Sequence, residues 1–123
     1  MNTKDTIQSY FTKLEQKDSW ESLLGDDIMF TSFTSPMKQV KGKDAYLQAT
    51  KRFYSMIRSI QVRELMVSGD RACVLTRYDL QPPNGGPAFG SEVAEIFTVH
   101  NGKIDSLGIY FDSAPFPKSP SSS

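Results

Sequence analysis

The fold turns on residues 92–112, EVAEIFTVHNGKIDSLGIYFD. Read with a period of two, Val93, Glu95, Phe97 and Val99 share one face, and Ala94 and Ile96 share the other. Asn101-Gly102 is the residue pair that a two-residue type I′ turn requires, because both central positions need positive φ. The stretch therefore predicts a strand over Glu92–Val99, a tight hairpin, and a return strand over Ile104–Asp112. Apolar side chains on both faces of the first strand imply that both faces are covered. In one small domain a second copy covers the outer face most simply, so a homodimer is expected, joined through Ala94, Ile96 and Tyr110.

Moving backward, Ala72–Leu80 reads as the preceding strand, and the dense turn signal 82–87 separates it from the hairpin. Ile60–Val67 reads as another strand, turned at Ser68-Gly69-Asp70. Earlier, Tyr46, Ala49, Phe53, Met56 and Ile57 form an apolar stripe on a helix from about Asp44 to Arg58. Ile28–Phe33 reads as a strand ended at Ser35-Pro36. A short helix is expected around Trp20, Leu23 and Leu24, ending at Gly25. The first segment repeats Ile7, Tyr10, Phe11 and Leu14 at helical spacing, with Thr3 or Asp5 as its cap. Residues 115–123 are rich in Pro and Ser without periodicity and are expected to form a disordered tail, leaving 1–114 as one domain. Helices followed by hairpin-linked strands give an α+β class, with the helices gathered on one face of a largely antiparallel sheet.

Composition limits the function. The chain has 123 residues, enough for a single domain with one sizeable core. Its 14 basic and 14 acidic residues leave no net charge to steer a polyanion, so neither nucleic acid nor a membrane surface is expected as a partner. The polar first ten residues lack the apolar core of a signal peptide, and no segment has the roughly 20 apolar residues of a span. Cys73 is the single cysteine and His100 the single histidine. Disulfides within the chain, thiolate metal clusters and histidine-centred triads are excluded as first readings. A cytoplasmic setting with no metal and no cofactor is expected.

Several ordered pieces together carry a resemblance. They are Tyr10-Phe11 through Asp18-Ser19-Trp20-Glu21, Asp26-Asp27-Ile28-Met29-Phe30, Val40-Lys41-Gly42-Lys43-Asp44-Ala45, Val67-Ser68-Gly69-Asp70-Arg71, Val93–Val99, Asn101-Gly102-Lys103-Ile104 and Tyr110-Phe111-Asp112. Their order and spacing resemble the SnoaL-like branch of the nuclear transport factor 2-like superfamily. The resemblance implies a cone-shaped, curved, mostly antiparallel sheet with the N-terminal helices on its concave face. It covers nearly the whole chain except the tail. The superfamily includes isomerases, epoxide hydrolases, polyketide cyclases and non-catalytic binding modules, so the fold alone assigns no chemistry.

The resemblance implies candidate residues. Compared with ketosteroid isomerase, Tyr10 matches the helix tyrosine and Glu95 the hydrogen-bonding acid, while the base position holds Ser32, which cannot abstract a carbon-bound proton. Compared with limonene epoxide hydrolase, Arg77-Tyr78-Asp79 resembles the Arg-x-Asp strand segment. There the second aspartate position holds Ile109, and the tyrosine and asparagine positions hold Phe30 and Ser32. Strand alternation is read in agreement: Phe30 and Ser32, then Cys73, Leu75, Arg77 and Asp79, then Val93, Glu95 and Phe97, then Leu107, Ile109 and Phe111 would face inward. The candidate catalytic set is Glu95, Tyr10, Arg77 and Asp79. The candidate ligand-binding set is Phe30, Ser32, Leu75, Phe97, Leu107, Ile109 and Phe111.

Each candidate has a structural reading beside the functional one. Tyr10 reads first as a core tyrosine with its hydroxyl satisfied. Glu95 reads either as an acid of raised pKa or as half of a buried pair with Arg77 on the neighbouring strand. Cys73 reads as a small buried hydrophobe, His100 as an exposed turn residue, and Tyr46, Phe53 and Tyr54 as helix packing. The expected function is a small-molecule-binding domain, with an isomerase, cyclase or hydrolase acting on a small, mostly apolar compound. The alternative is a non-catalytic dimeric ligand-binding or interaction module.

Overall fold

The strand that carries Glu95 lies in the interior of a six-stranded sheet of order β2-β1-β6-β5-β4-β3. A computed structural model describes residues 2–34 and 36–116. Ser35, expected to end a strand, and residues 117–123 of the expected tail lie outside the described residues. Helix α1 spans Thr3–Gln16, followed by a 3-10 turn over Trp20–Leu23. Strands β1 (Leu24–Ser32) and β2 (Lys38–Lys41) form a hairpin, and helix α2 spans Lys43–Met56. Strands β3 (Ile57–Ser68), β4 (Arg71–Leu80), β5 (Phe89–His100) and β6 (Lys103–Phe111) then form a meander. Neighbouring pairs are antiparallel except β1 and β6, which run parallel and bring the two ends of the domain side by side.

The hairpin between β5 and β6 turns at Asn101 (φ 51°) and Gly102 (φ 72°), the positive pair that the sequence calls for. Ile7, Tyr10, Phe11 and Leu14 on α1 are all buried. The cap is Asn2, not Thr3 or Asp5: its side-chain oxygen accepts the Asp5 N–H at 2.8 Å. Gly25 opens β1 rather than closing a helix, and its Cα approaches Asp105 on β6 too closely for a larger side chain to enter freely. β2 is a short, polar edge strand that hydrophobic periodicity does not reveal.

The two helices lie on the same side of the curved sheet. α1 packs over β3, β4 and β5, and α2 packs over β1 and β2. Between them and the sheet sits the core, where Tyr10 meets Phe11, Trp20 and Phe97 edge to face. Such pairs contribute about 0.5–1.5 kcal/mol each beyond their buried area.

The inward face of β4 differs from the expected one by one residue. Ala72, Val74, Thr76, Tyr78 and Leu80 point into the core, and Cys73, Leu75, Arg77 and Asp79 point out. The physical reason is the charge on Arg77 and Asp79, whose burial among apolar neighbours would cost several kcal/mol per ion. Outward, Arg77 bonds Glu92 at 3.1 Å and Asp79 at 3.3 Å, and Ser59 donates to Asp79 at 2.7 Å. Gly90, across from this pair, leaves the room that the guanidinium occupies. On β5 the expected alternation stands: Val93, Glu95, Phe97 and Val99 are buried.

Candidate ligand pocket and active site

Glu95 projects from β5 into a cavity of about 190 Å3 enclosed between the sheet and α2. The sheet supplies Phe30 and Ser32 from β1, Tyr78 from β4, Val93 from β5, and Leu107, Ile109 and Phe111 from β6. The register explains the convergence: Glu95 pairs with Ile109, and Ile109 with Ser32, so all three point the same way in one row. From above, α2 contributes Tyr46, Ala49, Thr50, Phe53 and Tyr54. Phe116 lies at one end, its ring edge-on to Phe89 and Phe111. It falls within the expected tail, yet it walls the cavity.

Glu95 is 4% exposed, and no cation lies in the cavity wall among the described residues. Thr76 Oγ1 and Tyr78 OH both donate to its Oε2 at 2.8 Å, and Oε1 receives no bond from the described residues. Burial raises the carboxyl pKa from its ordinary 4.5 to about 7, because the charged form loses its water; the two donors pull the other way and offset only part of this. Glu95 is therefore poised to gain or lose a proton near neutrality.

Behind the carboxyl runs a chain of phenols. Tyr54 OH bonds Tyr10 OH at 2.9 Å and bonds Tyr46 OH on its other side. Burial holds all three hydroxyls well above their usual range, so they act as neutral hydrogen-bonding groups. Tyr54 and Tyr46 reach the cavity, and Tyr10 supports them from α1.

Of the candidate catalytic residues, the structure brings Glu95 into the cavity and joins Tyr10 to it through Tyr54. Arg77 and Asp79 are on the opposite side of the sheet, so the buried Glu95–Arg77 pair does not form. Of the candidate binding residues, Phe30, Ser32, Leu107, Ile109 and Phe111 line the cavity. Leu75 is on the outer face, and Phe97 is buried deeper, against Tyr10 and Phe11. Cys73 is half-buried on the outer face rather than in the core. Sequence reasoning missed Thr76, Tyr78 and Ser91, and took Tyr46, Phe53 and Tyr54 for packing alone. Tyr46 and Tyr54 are eight residues apart, which places both hydroxyls on one helix face.

Elsewhere, His100 is exposed, as expected, and bridges Asp105 and, at 3.0 Å, Asp70. These carboxylates raise its pKa above the ordinary 6.5. Among the described residues no helix is long and apolar enough to cross a membrane.

Solved structures with the same fold carry names from several classes. One, from Bacillus subtilis and assigned provisionally as an isomerase, is 19% identical, with a TM-score of 0.76 over 93% of this chain and 91% of that one. A second, from Mesorhizobium loti and assigned provisionally as a SnoaL-like polyketide cyclase, is 23% identical, with a TM-score of 0.66 over 89% of this chain and 99% of that one. A third, a LEH-like epoxide hydrolase from M. tuberculosis, is 17% identical, with a TM-score of 0.72 over 90% of this chain and 83% of that one. At these identities the likeness is one of fold. No curated protein matches the chain. The family model of the SnoaL-like domain matches residues 7–107, most of the helices and sheet just described, and the chain belongs to that family.

Proposed function

We propose that this protein binds a small, mostly apolar molecule in the cavity and uses Glu95 as a general acid or base upon it. One observation carries the reading: a buried carboxyl with no cationic partner among the described residues, opening into an apolar cavity, its pKa raised by burial to about 7. A group poised near the working pH is the form that proton transfer favours. Thr76 and Tyr78 position Oε2, and Oε1 is left for the bound molecule. At about 190 Å3 the cavity is below the roughly 300–1,000 Å3 of drug-sized sites, which favours a compact ligand. Isomerisation, cyclisation and epoxide opening all use such an acid or base, and fold relatives carry names from each of these classes.

The test has two parts. Binding of para-alkylphenols is measured by calorimetry, and turnover is screened on a small enone, an epoxide and a cyclisable polyketide mimic. The reading expects binding, turnover with a pH–rate inflection near 7, and its loss in Glu95→Gln. Binding without turnover on any of the three would favour the non-catalytic ligand-binding alternative. Absence of binding would remove both.

A homodimer and a cytoplasmic setting belong to the same proposal. The outer sheet face is apolar where Leu75, Ala94 and Tyr110 align in register across β4, β5 and β6. Tyr110 is 51% exposed and stacks on Phe33, whose ring lies over Gly108. Light scattering should give twice the mass of 13.8 kDa, and Tyr110→Asp should return it to the monomer value. A monomer mass for the parent at tens of micromolar would refute the dimer. The support for the cytoplasm is the lone Cys73, which can close no disulfide within the chain.

A further inference from the structure

We infer that Ser91 is a second polar anchor of the cavity, so that the ligand is a compound without negative charge that carries a hydrogen-bonding group at each end of an apolar body. The inference rests on the cavity being a ligand site that Glu95 serves, and adds what the other end of the ligand must carry. Ser91 is fully buried, it lines the cavity, and its Oγ has no partner among the described residues. Buried hydroxyls are almost always bonded, since losing water without a replacement is destabilising. No neighbour relieves it: Tyr78, directly across the ladder, sends its own hydroxyl away to Glu95.

The position along β5 gives the shape of the ligand. Ser91, Val93 and Glu95 share the inward face. Four residues of strand separate the Cα atoms of Ser91 and Glu95 by roughly 13 Å. Val93 lies between them, so the strand presents a polar, an apolar and a polar site in sequence. A serine hydroxyl both donates and accepts, so a carbonyl, an ether or an alcohol is taken equally. With no Lys, Arg or His in the wall among the described residues, a carboxylate or phosphate at either end would be buried without compensation.

A matched series of probes tests this: para-alkylphenols with side chains of one to four carbons, each with and without a terminal hydroxyl. The phenol oxygen serves Glu95 and the terminal hydroxyl reaches for Ser91. At the chain length that fits, the hydroxylated member should bind the parent protein about tenfold more tightly than its alkyl partner. In Ser91→Ala that preference should disappear. The melting temperature of Ser91→Ala should be equal to or above that of the parent, because the removed hydroxyl bonds none of the described residues. If the parent binds alkylphenols but shows no preference at any chain length, the anchor is wrong and the ligand site stands. If the preference survives in Ser91→Ala, another group reads the second end and the inference fails. A lower melting temperature would mean that Ser91 serves the fold. If the parent binds no probe at all, the ligand site itself falls, and the anchor with it.

Discussion

Glu95→Gln should remove the buried carboxyl's share of the pH dependence of stability. In the unfolded chain the carboxyl has its ordinary value of 4.5, and in the folded one about 7. Native protein therefore holds a proton more tightly, and the stability linked to this group is fully present below about pH 4.5 and lost as pH rises through 7. At about 1.4 kcal/mol per pH unit, the difference from 4.5 to about 7 makes the loss about 3 kcal/mol, essentially complete by pH 8. Glutamine keeps an oxygen that accepts from Thr76 and Tyr78 and carries no charge to desolvate. Urea melts of parent and variant at pH 5, 6, 7 and 8 supply the comparison. The variant should be close to the parent at pH 5 and more stable by about 3 kcal/mol at pH 8. Taking the difference removes the contributions of His100 and the exposed acids. A difference that does not change with pH would refute the buried, unpaired carboxyl on which the proposed chemistry stands.

Tyr54→Phe should cost about 1–3 kcal/mol in denaturant melts, since it strips the shared partner from Tyr10 and Tyr46 and leaves those two buried hydroxyls only each other; a neutral result would mean that the phenol chain does not hold α1 to α2. Truncation after Ala114 should lower the melting temperature relative to truncation after Phe116, because only the first removes the ring packed on Phe89 and Phe111; equal values would show that the ring contributes nothing. As the single histidine, His100 gives one resolvable imidazole signal by NMR, and it should titrate above 6.5 and move toward that value when Asp105 is replaced by Asn; a titration at or below 6.5 would refute the bridge.

β5 could be read from sequence although both of its faces carry apolar residues: shifting Glu95 outward would turn the bulkier Val93, Phe97 and Val99 to solvent and leave Ala94 and Ile96 inside. β4 was harder to read. Cys73 and Leu75 on one face and Val74, Tyr78 and Leu80 on the other are all apolar, and the charge at Arg77 and Asp79 decides between them. The likeness of Arg77-Tyr78-Asp79 to a catalytic segment pulled the reading inward, whereas the desolvation cost of two ions puts it outward. Glu95 was legible as an acidic interruption of an apolar face. Its partners Thr76 and Tyr78 depended on the β4 face and were lost with it. The role of Tyr46 and Tyr54 was hidden because a buried aromatic and a pocket aromatic obey the same helical period. β2 escaped because four edge residues with one apolar member, Val40, carry no periodic signal.

The parallel pairing of β1 with β6 also bears on how the chain folds. The four-strand meander forms from neighbouring hairpins, whose closing loops are short. β1 must instead find a strand about eighty residues away along the chain (Leu24 meets Ile104), so its docking carries the larger loop-closure entropy. The wall that holds Phe30 and Ser32 is then expected to join last and to detach first in sub-global opening. Native-state hydrogen exchange would register this as faster exchange of the β1 amides than of those in β4 and β5. A ligand could then enter through transient release of β1 while the strand carrying Glu95 stays in place.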